Sequence, residues 1–302
     1  AAVPGRTAVM TGIAFPYAIQ RNNSPIETNS VGLYPWWSIA KAVLAAAVLR
    51  LAERGAVDLE ASYEDWPFSI RQLLNHRAGL KDYASAEYHA AVASGCDAWQ
   101  PDMLLSRCNA RELLYRPAEG WAYSNIGYLF IRRVIEKVTR CDLNAALAEL
   151  IFAPLEMRSA FVASTREDLC RSAWGNAANY DPGWVYHGLL LGTPGDAVQF
   201  LQGLLGGKLL SARMLDTMLA SYHVADEIPG RPWQQAGYGL GLMIGRMRGV
   251  GRAIGHSGGG PGSVSALYAF PDREDRAIVS VFAEGHGDAL AEEAAVERIT
   301  KQ

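Results

Sequence analysis

The longest apolar pattern in the chain covers residues 35–55 and predicts a helix that is buried on most sides. Alanine and leucine dominate this stretch, and both favour the helix, while Gly55 is placed to end it in the left-handed conformation. Apolar residues occupy nearly the whole circumference instead of one stripe, which is typical of a helix enclosed between other elements. We therefore expect this helix to be the centre of the fold.

Downstream of this helix, to about Trp174, the apolar positions recur at helical spacing and no alternating strand is evident. Residues 69–72 read Ser-Ile-Arg-Gln, a capping box that predicts the start of a short helix. Apolar positions between 126 and 138 predict an amphipathic helix, and Asp142 is placed to cap the next one. Residues 193–196, Thr-Pro-Gly-Asp, predict one more helix start.

Both ends of the chain predict strands. Short strands are expected over residues 7–14 and from Ile19 onward, and alternation beyond Gly237 predicts an antiparallel meander. The predicted strands of this meander are 238–246, 252–258, 263–270 and 276–283, and a helix over 288–300 follows them. This order predicts an α+β fold in a single domain. One lobe is expected to comprise about 1–68 and 175–302, with an inserted helical lobe of about 69–174.

The composition is that of an ordinary soluble globular protein. The chain has 302 residues, of which 50% are apolar and 20% charged, and its formal charge is −3. That charge gives no reason to expect nucleic acid or an anionic membrane as partner. Every run of 18 residues contains charged or polar positions, so we expect no membrane span.

Neither the cysteines nor the beginning of the chain indicates a specialised segment. Cys96, Cys108, Cys141 and Cys170 lack metal-ligand spacing, so buried thiols and one or two disulfides both remain open. No other His or acidic pair has supported ligand spacing, and we expect no metal. The first ten residues have no signal-peptide pattern and no initiating Met, which indicates a trimmed or mature chain.

Two polar residues interrupt the apolar helix near its start. Ser38 and Lys41 are three positions apart, so they share one helix face at the end where the helix dipole favours negative charge. A lysine among apolar neighbours loses proton affinity and can then accept the proton of a nearby serine hydroxyl. The alternative is that Ser38 caps the helix and Lys41 reaches the surface, the commoner outcome for an arbitrary Ser-x-x-Lys.

Two further segments carry candidate chemistry. Residues 123–125, Tyr-Ser-Asn, directly precede the amphipathic helix, where Ser124 as cap and Tyr123 as packing residue would be the structural explanation. Residues 256–259, His-Ser-Gly-Gly, lie on or at the end of a predicted strand. Glycines there let another backbone approach closely and leave amide groups free to bind a substrate. A glycine-rich hairpin with a surface histidine is the alternative.

Together and in this order, the three motifs at 38–41, 123–125 and 256–258 resemble those of the serine β-lactamase and penicillin-binding-protein family. The relevant branch contains class C β-lactamases, D-alanyl-D-alanine carboxypeptidases, D-aminopeptidases and esterases, and the likeness extends over most of residues 33–283. The resemblance implies a β-lactamase/transpeptidase-like fold with an antiparallel sheet flanked by helices. It also implies a bacterial periplasmic or secreted serine hydrolase without cofactor, acting through an acyl-enzyme on a small-molecule or peptide amide or ester.

The resemblance also implies a role for each residue. Ser38 would be the acylated nucleophile, and Lys41 its proton acceptor or the group that holds the base. Tyr123 would carry the proton to the leaving group and later activate water, and Asn125 would orient the substrate amide. The backbone N–H groups of Ser38 and Gly259 would form the oxyanion hole.

The substrate-binding strand departs from the family pattern at its first residue. The resemblance implies that His256, Ser257, Gly258 and Gly259 bind substrate, but true class C β-lactamases have Lys where this chain has His256. This difference favours a peptidase, amidase or esterase with weak or no β-lactamase activity. Our hypothesis is that His256 faces the carboxylate end or acyl chain of the substrate and is mostly neutral near pH 7.

Two other functions fit parts of the same sequence. Residues 255–259 match Gly-x-Ser-x-Gly, the nucleophile elbow of α/β-hydrolases, which would make Ser257 the nucleophile. An elbow requires a helix directly after the serine, whereas a turn and an alternating stretch follow here. A non-catalytic module that binds penicillin or a peptidoglycan fragment is the third possibility. Tyr34, Trp36 and Trp37 would line an acyl pocket or, as is commoner for aromatic residues, belong to the core.

Overall fold

An eight-stranded antiparallel sheet forms the larger layer of the fold. The computed structural model describes residues 15–174 and 180–301, so the strand predicted over 7–14 lies outside the described residues. The strand order is β2-β1-β11-β10-β9-β8-β7-β6. The bounds are β1 Tyr17–Gln20, β2 Glu27–Thr28, β6 Tyr222–Ala225, β7 Trp233–Tyr238, β8 Met243–Met247, β9 Gly251–Gly260, β10 Ser263–Ala269 and β11 Ile278–Glu284. The predicted meander is therefore confirmed, and the first strands of the chain extend it.

Alternation along the central strands sends side chains to two different cores. On β11, Val279 and Val281 pack with the C-terminal helix α10, Ala289–Thr300, on one face. Phe282 faces the other side and belongs to the core shared with the helices. On that side Ser280 donates a hydrogen bond to the carbonyl of Pro194, the first residue of α8, Pro194–Leu205. The sheet is thus covered on both faces, which explains why β10 is buried along its whole length.

A second sheet of three short strands lies beside the helices. It consists of β3 Tyr34–Pro35, β4 Phe161–Ala163 and β5 Leu189–Gly192, all antiparallel. The prediction that no strand precedes Trp174 after the first helix is wrong at β4. These strands are two to four residues long and mostly buried, so they leave no alternation of apolar and polar positions for a sequence pattern to detect.

The predicted central helix is present as α1, Ala40–Glu53, and 11 of its residues are buried. It ends as expected, because Gly55 adopts a φ of +73° and the N–H groups of Gly55 and Ala56 bond back to the carbonyls of Ala52 and Leu51. The start differs from the prediction. A 3-10 turn over Trp37–Ile39 precedes α1 and contains Ser38.

Four further helices begin where the predicted caps place them. Ser69 and Gln72 form the capping box of α2, Ser124 caps α5, and Thr193 caps α8. Asp142 caps α6, which continues as a π-helical turn over Ala148–Phe152. The other bounds are α2 Ile70–Leu74, α3 Ala86–Ala93, α4 Pro101–Arg107, α5 Asn125–Thr139, α6 Leu143–Leu147, α7 Arg166–Leu169 and α9 Ala212–Leu219.

Two further predictions need correction. The strand predicted over 238–246 is two strands, because β7 ends at Tyr238, Gly241 turns with a φ of +77°, and β8 starts at Met243. All four cysteines are free thiols, and three of them are exposed: Cys96, Cys141 and Cys170. Exposed single thiols were not among the expected outcomes. The division of the chain into two lobes stays a prediction.

Within the described residues, no helix is both long and apolar enough to cross a bilayer. The same part of the chain holds no group of three or more His, Cys, Asp or Glu side chains arranged to bind a metal ion.

Candidate active site

The predicted nucleophile follows a residue with an unusual backbone conformation. Trp37 has a φ of +47°, a region that costs a non-glycine residue of order 1–3 kcal/mol. The Trp37 side chain is buried, and its indole N–H donates to Ser263 Oγ on β10 over 2.9 Å. The sheet therefore holds the turn that presents Ser38, and the strain lies directly beside the reactive hydroxyl.

Lys41 lies one turn after Ser38 and is completely buried. Its Nζ is 2.9 Å from Ser38 Oγ and donates a 2.7 Å hydrogen bond to Asn125 Oδ1. Burial lowers the pKa of Lys41 from 10.5 to about 7, although the charges of Asp82 and Asp288 act in the opposite direction. A substantial fraction of this amine is therefore neutral near pH 7 and has a lone pair free to accept a proton.

Tyr123 contacts the same hydroxyl from the other side. Its phenol donates to Ser38 Oγ over 2.8 Å, and burial raises the pKa of Tyr123 well above 10. The phenol therefore keeps its proton and donates it to Oγ. The proton of Ser38 is then free to point to the neutral amine of Lys41, so the three groups form one directed chain of hydrogen bonds.

Asn125 joins this chain through a carboxylate that the sequence patterns did not single out. Asp82 accepts from the backbone N–H of Asn125 over 2.9 Å and from its Nδ2 over 3.1 Å. The bond from Nδ2 fixes the orientation of the side-chain amide, so Oδ1 of Asn125 is turned to Lys41, and the second N–H of Nδ2 keeps no partner in the described residues. Asp82 lies in a segment that resembles the family, but no spacing rule linked it to Asn125, 43 residues away.

His76 is a second residue that the sequence patterns missed. Its ring packs against Tyr123 at 4.4 Å and Tyr238 at 4.7 Å between centroids, and its Nδ1 accepts from the N–H of Ser124. Burial lowers the pKa of His76 well below 6.5, so the ring is neutral. It forms part of the low-polarity wall that keeps the Tyr123 phenol protonated.

Strand β9 passes directly against the turn that carries Ser38. A Cβ atom built on Gly258 would lie 2.8 Å from the backbone nitrogen of Ser38 and 2.6 Å from the carbonyl oxygen of Trp36. Any side chain at this position would push the two backbones apart, so the close approach requires glycine. Gly259 follows on the same strand and borders the space next to Ser38 on both sides.

His256 lines the cavity beside Ser38, and the hypothesis that it faces the carboxylate end or acyl chain of the substrate stays a prediction. Nδ1 donates to the carbonyl of Ser257, so Nε2 carries the lone pair and accepts from the Tyr238 hydroxyl over 2.9 Å. Burial lowers the pKa of His256 to about 3, and the ring is neutral at any ordinary pH. His256 lines the site, but both nitrogens already have protein partners, so its ring is a fixed neutral wall.

Ser257 does not present its hydroxyl to Ser38. Strand alternation turns its side chain to the face covered by α10, where Oγ bonds the Tyr268 hydroxyl over 2.6 Å and the carboxylate of Glu292. Ser257 is only 3% exposed and lies inside β9, with no helix after it. The nucleophile-elbow alternative is therefore wrong. Ser257 does line the cavity beside Ser38, and the prediction that this residue binds substrate stays a prediction.

Two cavities meet at Ser38. The first cavity has a volume of about 430 Å³ and is also lined by Tyr123, His256 and Asp288. The second cavity has a volume of about 390 Å³ and is lined by aromatic side chains that include Trp37. Trp37 is thus both core residue and cavity wall, whereas Tyr34 and Trp36 are core. A larger groove of about 740 Å³ is lined by none of the predicted site residues.

Comparison with known proteins gives one consistent family. The Beta-lactamase family model matches residues 2–300. The chain is 26% identical over 299 residues to penicillin-binding protein 4* of Bacillus subtilis, covering 88% of this chain and 63% of that protein. It is 30% identical over 142 residues to esterase EstB of Burkholderia gladioli, covering 40% of this chain and 36% of the esterase. The chain therefore spans less than two thirds of the length of these relatives.

Solved structures share the fold over nearly the full chain. A D-stereospecific amidohydrolase from Streptomyces sp. has a TM-score of 0.79 at 24% identity, covering 95% of this chain and 93% of that one. A D-amino acid amidase from Ochrobactrum anthropi has a TM-score of 0.79 at 24% identity, covering 94% of both chains. The predicted α+β fold of the β-lactamase/transpeptidase type is confirmed.

Proposed function

This chain belongs to the Beta-lactamase family, and from that premise we propose that it is a serine hydrolase that forms an acyl-enzyme on Ser38 with an amide or ester. One observation carries the proposal. A single serine hydroxyl lies within hydrogen-bond distance of both a buried lysine with a pKa of about 7 and a tyrosine that remains protonated. Such a pair is what an activated nucleophile needs, one group to accept a proton and one to donate.

The first half of the reaction follows from the direction of the hydrogen bonds. The neutral amine of Lys41 accepts the proton of Ser38 as Oγ attacks the carbonyl carbon of the substrate. The backbone N–H groups of Ser38 and Gly259 are proposed to bind the resulting oxyanion, where one donor is typically worth about 3 kcal/mol of barrier. The close approach of β9 at Gly258 supports this, since it brings the strand to the nucleophile's own backbone.

Collapse of the intermediate requires a proton for the leaving group. Tyr123 donates its phenol proton to the departing nitrogen or oxygen, the bond to the acyl carbon breaks, and the protonated Lys41 returns a proton to the phenolate. The net result moves the serine proton to the leaving group. Water then attacks the ester of Ser38 and releases the acid by the same path in reverse.

Asn125 and Asp82 act as a positioning pair in this scheme. Asp82 accepts from the backbone N–H and from the side-chain Nδ2 of Asn125, so Asn125 Oδ1 is held toward the Lys41 amine. Such rigid support holds reacting groups near their productive geometry. Asn125 also lines both cavities that meet at Ser38. The substrate class proposed from the family is a D-amino-acid peptide, a β-lactam or a small ester.

The test is covalent labelling with a fluorophosphonate or fluorescent penicillin, followed by mass mapping of the modified peptide. We expect the label on Ser38, and turnover of p-nitrophenyl butyrate that disappears in Ser38→Ala. The side chain of Ser38 caps no helix, so the melting temperature should hardly change.

Ser257→Ala is the matched control for labelling, because Ser257 belongs to the same site but its hydroxyl faces α10. We expect this variant to be labelled at Ser38 like the wild type. A label that stays in Ser38→Ala and vanishes in Ser257→Ala would refute the assignment. Absence of any label and any turnover would favour the non-catalytic binding module.

A further inference from the structure

The cavity of about 430 Å³ beside Ser38 contains a carboxylate that no step above uses. Ser38, Tyr123 and Asp288 all line it. Because Tyr123 is the group assigned to protonate the departing atom, the leaving group of the substrate must lie on this side of the nucleophile. We call this space the leaving-group cavity.

The charges around Asp288 do not cancel. Arg231 donates to both oxygens of Glu292, with 2.8 Å from Nε to Oε2, and its Nη1 lies 3.3 Å from Asp288 Oδ2. Glu292 is completely buried and also accepts from the Trp233 indole over 3.1 Å, so it is held as the fixed partner of Arg231. These two carboxylates and one guanidinium leave a net charge of about −1 among them, and Lys41, whose charge also acts on Asp288, loses that charge as the pH rises above about 7.

Asp288 exposes this remaining charge to the cavity. Its side chain is 36% exposed, and only Oδ2 faces Arg231. Among the described residues no hydrogen-bond donor contacts Oδ1, and a Cβ built on Gly259 would lie 3.0 Å from that oxygen. Oδ1 is therefore a solvent-accessible acceptor without a protein donor, beside the glycine strand and next to where the leaving group must lie.

The following inference rests on the proposed function. We propose that Asp288 determines specificity for the leaving group: it favours leaving groups that carry a positive charge or none, and it disfavours those that carry a carboxylate. A cation in the leaving-group cavity gains an attractive contact with Oδ1, whereas an anion meets a like charge in a partly desolvated space. His256 offers no compensating positive charge, because its ring is neutral. Peptides that end in a free carboxylate next to the scissile bond, and the carboxylate of a β-lactam, are thus poor ligands for this cavity.

The test uses three thioesters that share an acetyl group and whose departing thiols carry different charges; because the thiols also differ in pKa and size, the effect of charge is taken from the change in the kcat/KM ratio between the wild type and its variants. Acetylthiocholine has a cationic leaving group, S-acetyl-2-mercaptoethanol a neutral one and S-acetyl-3-mercaptopropionate an anionic one. Thiol release is followed with Ellman's reagent at about pH 8. We expect kcat/KM of the wild type to decrease in the order cationic, neutral, anionic.

Asp288→Asn should reduce the ratio of cationic to anionic kcat/KM by about tenfold or more, the effect of one partly screened charge contact on each substrate. Asp288→Glu keeps the charge and should retain most of the ratio, which separates charge from a general disturbance of folding. Asp272→Asn is the matched control, since Asp272 also pairs with an arginine, Arg246, but lies outside the cavity. It should keep the wild-type ratio.

The possible failures differ from one another. If the wild type hydrolyses the neutral thioester but Asp288→Asn keeps the full charge ratio, the proposal for Asp288 is overturned and the hydrolase function stands. If the wild type releases no thiol from any of the three and Ser38 takes no label, the hydrolase function and this proposal are both overturned. A ratio near one in the wild type also overturns the proposal.

Discussion

The pKa of Lys41 determines a pH dependence of stability that is measurable without any substrate. Burial lowers this pKa to about 7 in the folded protein, against 10.5 for an ordinary lysine. Between those values the unfolded chain binds more protons than the folded one, so the free energy of unfolding rises with pH. The destabilisation by the buried charge is therefore greatest below about pH 7 and is relieved as the pH rises toward about 10. Lys41→Met removes the titrating group and this contribution.

The magnitude follows from the two pKa values. Integrating the proton linkage for one site from about pH 6 to about pH 9 gives about 3 kcal/mol. We expect the difference in unfolding free energy, Lys41→Met minus wild type, to fall by that amount across this range. Burial holds the pKa of His76 and His256 well below this window and that of Tyr123 above it in the folded protein. Titration of these groups in the unfolded chain is common to both proteins and cancels in the difference.

The assay is urea denaturation of both proteins at several pH values across this range. Lys208→Met is the matched control, because Lys208 is an exposed lysine away from the site and its removal should leave the wild-type pH dependence unchanged. Parallel stability curves for Lys41→Met and the wild type would show that Lys41 titrates at the same pH in folded and unfolded chains. The argument for a neutral lysine base would then fail.

Three further outcomes are expected. For a neutral p-nitrophenyl ester, kcat/KM should rise with pH to a plateau, with its midpoint near pH 7. Because arginine cannot deprotonate, Lys41→Arg should lower this kcat/KM by about a hundredfold or more. If the variant kept about a tenth of the wild-type rate, Lys41 would act only as a fixed positive charge. Asp82→Ala should lower kcat by about 10- to 100-fold with a smaller change in KM, because Asn125 loses the carboxylate that positions it. An unchanged kcat in steady-state kinetics would contradict this. Glu292→Gln leaves Arg231 without its buried anionic partner and should lower the free energy of unfolding in urea by about 3–5 kcal/mol. A decrease below about 1 kcal/mol would refute the pairing.

Features that depend on residues close in the sequence were predictable from it. Ser69 with Gln72 and Thr193 with Asp196 form capping boxes over three positions, and both appear where the pattern places them. Ser38 and Lys41 meet for the same reason, since a three-residue separation within a helical turn brings two side chains to one face. The burial of Lys41 also followed from its apolar neighbours.

Features that depend on strand phase and on distant partners were decided only by the tertiary structure. Ser257 and His256 are adjacent in the chain, but the two-residue period of β9 puts their side chains on opposite faces, and a shift of one residue would exchange them. Sequence pattern located the motif without telling which side chain faces Ser38.

The supporting charges show the same limit. Asp82 reaches Asn125 across 43 residues, and Arg231 reaches Glu292 across 61, pairings that no local spacing rule can encode. The resemblance to the family located the reactive groups, because their chemistry requires particular residue types at short spacing. The sequence by itself thus determined the chemical groups of the site and its central helix. Packing decided their protonation, their partners and the charge of the leaving-group cavity, because each depends on which distant side chains exclude water around it.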